Sequence, residues 1–360
     1  METKQKMNLQ LFGTSIYDLV TAPELASYWT EKTQAMGPYL GEELFPNNKQ
    51  LSREIKWAKG GTGAPKMLKP SAPGARAIPR DRKEFDTVIT KLGGFKESLY
   101  IDEDLQIRLN EVIASGNQVM IDLVLGKIFD DNTTLLQAAA VTREYIRMQL
   151  LMTGKATVKG NGQEYELDYE FNPKHMANAA VSWSDAANAD PIADIAKAID
   201  QIQLDTGEAP TRAVTNLATF NQIVANKKLN QTISVFGGGN VILGRQRVLE
   251  YLRAELGIDV VLYDKIYEDD NGTAKKYVPD NKFALLPSSP VGTTAFATTL
   301  EESNLMSGTS ANVSIVDTGV AITTSKVVDP VTVETKVSMV SLPTFEGMEK
   351  VFILDAVQEA

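Results

Sequence analysis

A chain of 360 residues, 43% hydrophobic and 23% charged, can bury a sizeable core and has room for two or three domains. With no cysteine and one histidine, it excludes disulfides, zinc–thiolate sites, iron–sulfur clusters, thiol catalysis and any multi-histidine metal centre. The net charge of −10 argues against a general nucleic-acid-binding surface, and with neither a signal-peptide pattern nor an apolar run near about twenty residues, a soluble chain is expected.

Residues 1–20 are mixed, with an apolar patch at Leu9, Leu11 and Phe12. Thr21-Ala-Pro-Glu24 reads as a helix start: Thr21 can cap, Pro23 suits the first turn and Glu24 completes a capping box. Leu25, Tyr28 and Trp29 share one face of that helix, which ends near Gly37-Pro38; Phe45-Pro-Asn-Asn48 is a turn cluster. The first fifty residues are therefore an arm more than a domain.

Lys49 to Lys96 is unusual. Arg53–Trp57 and Glu84–Thr90 read as strands, but the roughly twenty residues between them are broken by glycines and prolines, far beyond ordinary hairpin loops. Eight lysines and four arginines stand against four carboxylates, a net +8 that leaves −18 on the rest of the chain. A basic hairpin on an acidic body suits attraction between copies, acting on orientation and on-rate more than affinity. The same charge also suits a nucleic-acid-binding arm or a linker that touches nothing.

Helices are predicted over 101–113 and 115–129, and a stronger one over 133–153, capped by Asp130, Asp131 or Asn132 and stopped by Gly154. The last carries two apolar stripes, one through Leu135, Ile146 and Leu150 and one through Leu136, Met148 and Met152, so it should be covered on more than one side. A hairpin over 155–171 turns at Gly160-Asn-Gly162, and 182–190 reads as a polar loop. From Asp190 to about 300, helices and strands alternate as one α/β unit, with a glycine loop at Gly237, Gly238 and Gly239 and a hairpin turning at Asn271-Gly272. The last fifty residues are strand-rich, with Val331–Ser341 alternating.

Catalytic constellations are weak. His175 sits in a loop without a partner set, Gly237–Gly239 lacks the spacing of a phosphate loop, and Glu268–Gly272 lacks the ligand pattern of a calcium loop. The sequence supports no enzyme and no cofactor.

One block is distinctive: Tyr263-Asp264, Tyr267, Asp270-Asn-Gly272, Tyr277-Val-Pro-Asp-Asn281, the strand Phe283–Leu286, then Gly292, Ala295-Phe296 and Glu301-Glu302. It resembles the axial-domain segment of the tailed-phage major capsid proteins typified by the lambda capsid protein. Met152-Thr-Gly154, Asp329-Pro330 with Val333–Pro343, and Asn8–Phe12 extend the resemblance over nearly the whole chain. It implies an α+β, Hong Kong 97-like capsid fold: an N-terminal arm (1–48), an extended β-hairpin loop (49–96), a peripheral domain (97–189 and 310–360) with a spine helix at 132–153, and an axial domain (190–309). The implied function is a virion shell protein, assembled in the host cytoplasm from hexamers and pentamers into an icosahedral head around DNA. Implied partners are other copies of the chain, a scaffolding protein, a portal, a decoration protein and non-specifically contacted DNA, with no membrane. Lys56, Lys59, Lys66, Lys69, Arg76, Arg80 and Arg82 are the expected inter-subunit contacts, Gly237–Gly239 should lie near the capsomer centre, and no covalent crosslink is expected.

Overall fold

The computed structural model describes residues 20–59, 86–101, 103–160, 162–233, 244–269, 271–307, 312–316, 319–327 and 332–357. In chain order its strands are β1 (Asn47–Gln50), β2 (Glu54–Lys59), β3 (Asp86–Lys91), β4 (Gly93–Ile101), β5 (Lys155–Gly160), β6 (Gln163–Asp168), β7 (Met176–Asn178), β8 (Arg212–Thr215) and β9 (Asp259–Leu262). They continue as β10 (Ile266–Glu268), β11 (Ala274–Lys276), β12 (Lys282–Leu286), β13 (Thr294–Ala297), β14 (Asn312–Val316), β15 (Val320–Val327), β16 (Thr332–Pro343) and β17 (Phe352–Asp355).

The arm helix, Ala22–Met36, starts as the sequence predicts: the Glu24 carboxylate accepts from the Thr21 backbone N–H at 3.2 Å. Leu25 and Trp29 are buried. After a turn, the helix Glu103–Ser115 leads into the spine helix, Gln118–Thr153, of 36 residues. The two helices expected over 115–129 and 133–153 are thus one, and the spine begins well before 132. The predicted break came from reading Asp130, Asp131 and Asn132 as caps. Instead, the Thr133 and Thr134 hydroxyls donate to the Asp130 and Asp131 carbonyls at 2.9 and 2.6 Å, and the Asp130 carboxylate turns outward to Lys32 and Tyr28. At 1.5 Å per residue the spine is roughly 54 Å long. It ends at Gly154, whose φ of 72° is left-handed; a Cβ there would come within 2.5 Å of Phe171 Cβ.

Two sheets flank the spine. The larger has the order β1-β13-β16-β15-β14, with β4 on the other side of β16. Register runs from Val333 opposite Ile101 to Ser341 opposite Gly93, and a slip by one would turn Val333, Val337 and Met339 out of the core. The second sheet has the order β7-β17-β12-β8-β9. Sheet membership does not follow chain blocks: β13 joins the larger sheet, whereas β17, near the C-terminus, pairs with β12 in the smaller. Phe352, Ile353 and Leu354 are all buried, so β17 lacks the alternation by which β16 was legible.

Both predicted stripes of the spine are buried at Leu135, Leu136, Ile146, Met148, Leu150 and Met152. They feed two apolar clusters, one under the arm helix and β16, the other joining the spine to Trp57, Phe345 and Ile353. A third cluster fills the smaller sheet's helical face around Trp183, Ile195, Phe220 and Phe283. Trp183 comes from the stretch read as a polar loop; it is fully buried, and its indole N–H donates to Asp194 at 3.1 Å.

Candidate assembly interface

The basic hairpin is rooted firmly in its own subunit. β2 and β3 pair antiparallel from Glu54–Lys91 to Lys59–Asp86, as their alternation predicts. Ile55 and Trp57 point inward, and Trp57 meets Tyr169 edge-on with ring centroids 4.9 Å apart. Lys56, on the opposite face, is exposed. Lys59 does not face outward alone: its ammonium lies 2.7 Å from Glu170 of the same chain. Lys66, Lys69, Arg76, Arg80 and Arg82 lie outside the described residues, as do Gly237, Gly238 and Gly239.

Two charge clusters, invisible as sequence motifs, hold the ends of the hairpin and the root of the arm. Glu301, at the start of the helix Leu300–Ser307, meets Lys96 of β4 at 2.9 Å and Lys336 of β16 at 3.0 Å; its neighbour Glu302 meets Lys49 at 2.5 Å. Burial alone would raise the Glu301 carboxyl, but the two lysines hold it at about 2. Cations at both ends of the basic stretch are therefore neutralised at home.

The second cluster lies on the spine, under the arm's root. Glu144 is fully buried and accepts from the Gly41 backbone N–H at 3.1 Å and from the Tyr263 hydroxyl at 2.7 Å. One turn on, Arg147 donates to Thr294 at 2.9 Å and to Asn47 at 2.7 Å, and lies 4.0 Å from Glu144. Burial pushes the Glu144 carboxyl up and lowers Arg147 to about 10, so the arginine stays charged at neutral pH. Gly41 fits because it has no side chain: a Cβ would lie 2.3 Å from Glu144 Oε2. Two spine side chains thus tie together the arm, β1, β13 and the loop after β9. Tyr39, Tyr145, Tyr263, Tyr267 and Tyr277 pack around this junction, with the Lys265 ammonium 4.5 Å from the Tyr39 ring centre.

His175, the sole histidine, is buried in a short 3-10 turn, where Nε2 lies 3.0 Å from Asp205 and the ring stacks on Phe352. It braces β7 against the helix Pro191–Thr206. Among the described residues, no three His, Asp or Glu are grouped to hold a metal, and no helix is long and apolar enough to cross a membrane.

Large apolar side chains remain uncovered in the single chain. Val119 and Leu123, on the first turns of the spine, are 75% and 66% exposed; Leu51, beside the hairpin root, is 89% exposed. Tyr100 and Ile107 are also exposed. These side chains are available for contact with another molecule.

The architecture, with a long helix crossing between two sheets and an arm and hairpin anchored on it, is that of viral capsid subunits with the Hong Kong 97-like fold. A prophage protein of Escherichia coli CFT073 assigned as its capsid protein superposes with a TM-score of 0.61 at 15% identity, covering 94% of this chain and 99% of that one. A phage-related protein of Bordetella bronchiseptica RB50 gives 0.53 at 13% identity, covering 94% and 97%. The capsid asymmetric unit of cyanophage A-1(L) gives 0.50 at 11%, covering 89% and 92%. The sequence model of the family Phage major capsid protein E matches residues 21–354. The chain belongs to that family: it is a major capsid protein that self-assembles into the shell of a phage head.

Proposed function

We propose that the chain builds the head through hexamers and pentamers closed into an icosahedral shell around DNA, in a structural role without catalysis. The family match over residues 21–354 carries this reading. In it, the axial domain is 190–309, its sheet completed by β7 and β17, and the peripheral domain is 97–189 and 310–360 with the spine, its sheet completed by β1 and β13. The basic stretch between β2 and β3 lies across a neighbour, with Lys56, Lys66, Lys69, Arg76, Arg80 and Arg82 as its contacts and Lys59 held at the root. The Gly237–Gly239 loop faces the capsomer centre.

Many weak, repeated contacts give such a shell its strength. The acidic balance of −10 suits an inner wall that contacts DNA non-specifically and releases it. Scaffolding protein, portal and decoration protein complete the set of partners. Electron microscopy of the purified protein tests the reading. Shells or capsomer rings are expected; a dispersed monomer with salt-sensitive DNA binding would contradict it.

A further inference from the structure

The first turns of the spine carry an apolar face that their own subunit leaves uncovered. Gly116, at φ 66°, turns the chain out of the helix Glu103–Ser115, and Asn117 caps the spine, its side chain accepting from the Met120 backbone N–H at 3.4 Å. From there Ile128 is buried, and Val124, Leu125 and Phe129 pack with it in the cluster under the arm helix. At 3.6 residues per turn, Val119, Leu123 and Gly126 then share the opposite, outward face. Val119 and Leu123 are 75% and 66% exposed, and a Cβ built on Gly126 would meet nothing within 4 Å. Glycine weakens a helix interior relative to alanine, and no close approach among the described residues requires one here. We infer that this face packs against the same face of a second copy across a two-fold axis, with each Leu123 seated over the other copy's Gly126.

Three observations select this occupant. The first is the family. A chain that self-assembles has a second copy at hand, and large apolar side chains on an exposed helix face gain by meeting one. The second is shape. Leu123 is a knob and Gly126, one turn on, is a notch, so an antiparallel copy centred between them fills both notches at once. The third is charge. The exposed side chains beside the strip, Asp122 and Lys127, are of opposite sign, so closing the contact brings no excess of like charge together. The inference rests on self-assembly and is independent of the path of the basic hairpin.

The cysteine-free chain makes the test direct. A disulfide needs Cα atoms within about 7 Å, so it reports proximity. Leu123→Cys protein held under assembly conditions and mildly oxidised should give a covalent dimer on a non-reducing gel. Leu204→Cys, at an exposed position on the helix Pro191–Thr206, should stay monomeric. Adding Gly126→Gln to Leu123→Cys fills the notch, and the dimer yield should fall about tenfold, the change expected from overpacking a close contact. Leu123 is exposed and the space at Gly126 is open in the single chain, so circular dichroism of each variant should match wild type, which separates loss of the link from loss of the fold. A Leu123→Cys protein that stays monomeric, or a dimer whose yield ignores Gly126→Gln, would overturn the inference and leave the face to another partner. Microscopy of the same samples keeps the shell reading distinct. Particles without the link overturn the contact alone; a link without particles supports the contact and counts against the shell.

Discussion

Gly41 and Glu144 meet in a tight junction at the root of the arm. Gly41→Ala would drive a methyl into the Glu144 carboxylate, where a Cβ has 2.3 Å. Overpacking of this kind costs about 1–3 kcal/mol, so a lower urea midpoint is expected with an unchanged m-value. Glu144→Ala should cost more, about 3–5 kcal/mol, because it leaves Arg147 charged and buried with its partner gone. A variant as stable as wild type would mean that the junction is not a constraint. Glu301 gives a pH signature. Its folded-state pKa of about 2 lies below the usual 4.5, so its contribution is complete above about pH 5 and fades as pH falls from 4.5 towards 2. The stability difference between wild type and Glu301→Gln should therefore be flat from pH 7 to 5 and close below it; a difference that grew on acidification would contradict the pairing with Lys96 and Lys336.

At the scale of elements, the spine helix makes the sharpest test. Thr134 is exposed and lies inside a continuous 36-residue helix. If a helix began at residue 133, Thr134→Pro would fall in its first turn and be tolerated. In the continuous helix it removes a hydrogen bond and clashes, at a cost of about 3 kcal/mol, readable by chemical denaturation. A neutral Thr134→Pro would restore the two-helix reading.

Elements with a strong local period were legible: the capping box at Thr21, the two stripes of the spine, the β2–β3 and β5–β6 hairpins and the alternation of β16. Four kinds of feature were not. Asp130–Asn132 has the composition of a cap, and only tertiary partners, Lys32 and Tyr28, explain why it is passed through. Phe352–Leu354 is short and buried on both faces, so no period marks it. Trp183 hides among polar neighbours because one indole N–H finds Asp194. The charge clusters were illegible for another reason: Lys96 and Lys336 meet Glu301, and Gly41 meets Glu144, across long stretches of chain. Net charge identified the hairpin as basic; it could not reveal that Lys49, Lys59 and Lys96 are satisfied at home.

For the whole molecule, the picture is of an internally braced body with exposed apolar side chains. The spine fixes two sheets, the buried Glu144 and Arg147 fix the arm's root, and the basic hairpin leaves from an anchored base. In the proposed assembly, the other cations of the basic stretch act between subunits. Joint charge reversal of Arg76, Arg80 and Arg82 should slow or block assembly at low ionic strength, and wild-type assembly should weaken as salt rises past the screening range. Normal assembly of the variant at low salt would show that these cations do not drive docking.

The most direct measurement is a cryo-electron-microscopy map of particles formed by this protein, traced through residues 54–91. The account predicts a closed shell in which β2 and β3 leave their own subunit at Trp57 and the stretch between them lies across an adjacent one. A map in which that stretch folds back onto the subunit that owns it, with neighbours joined elsewhere, would contradict it.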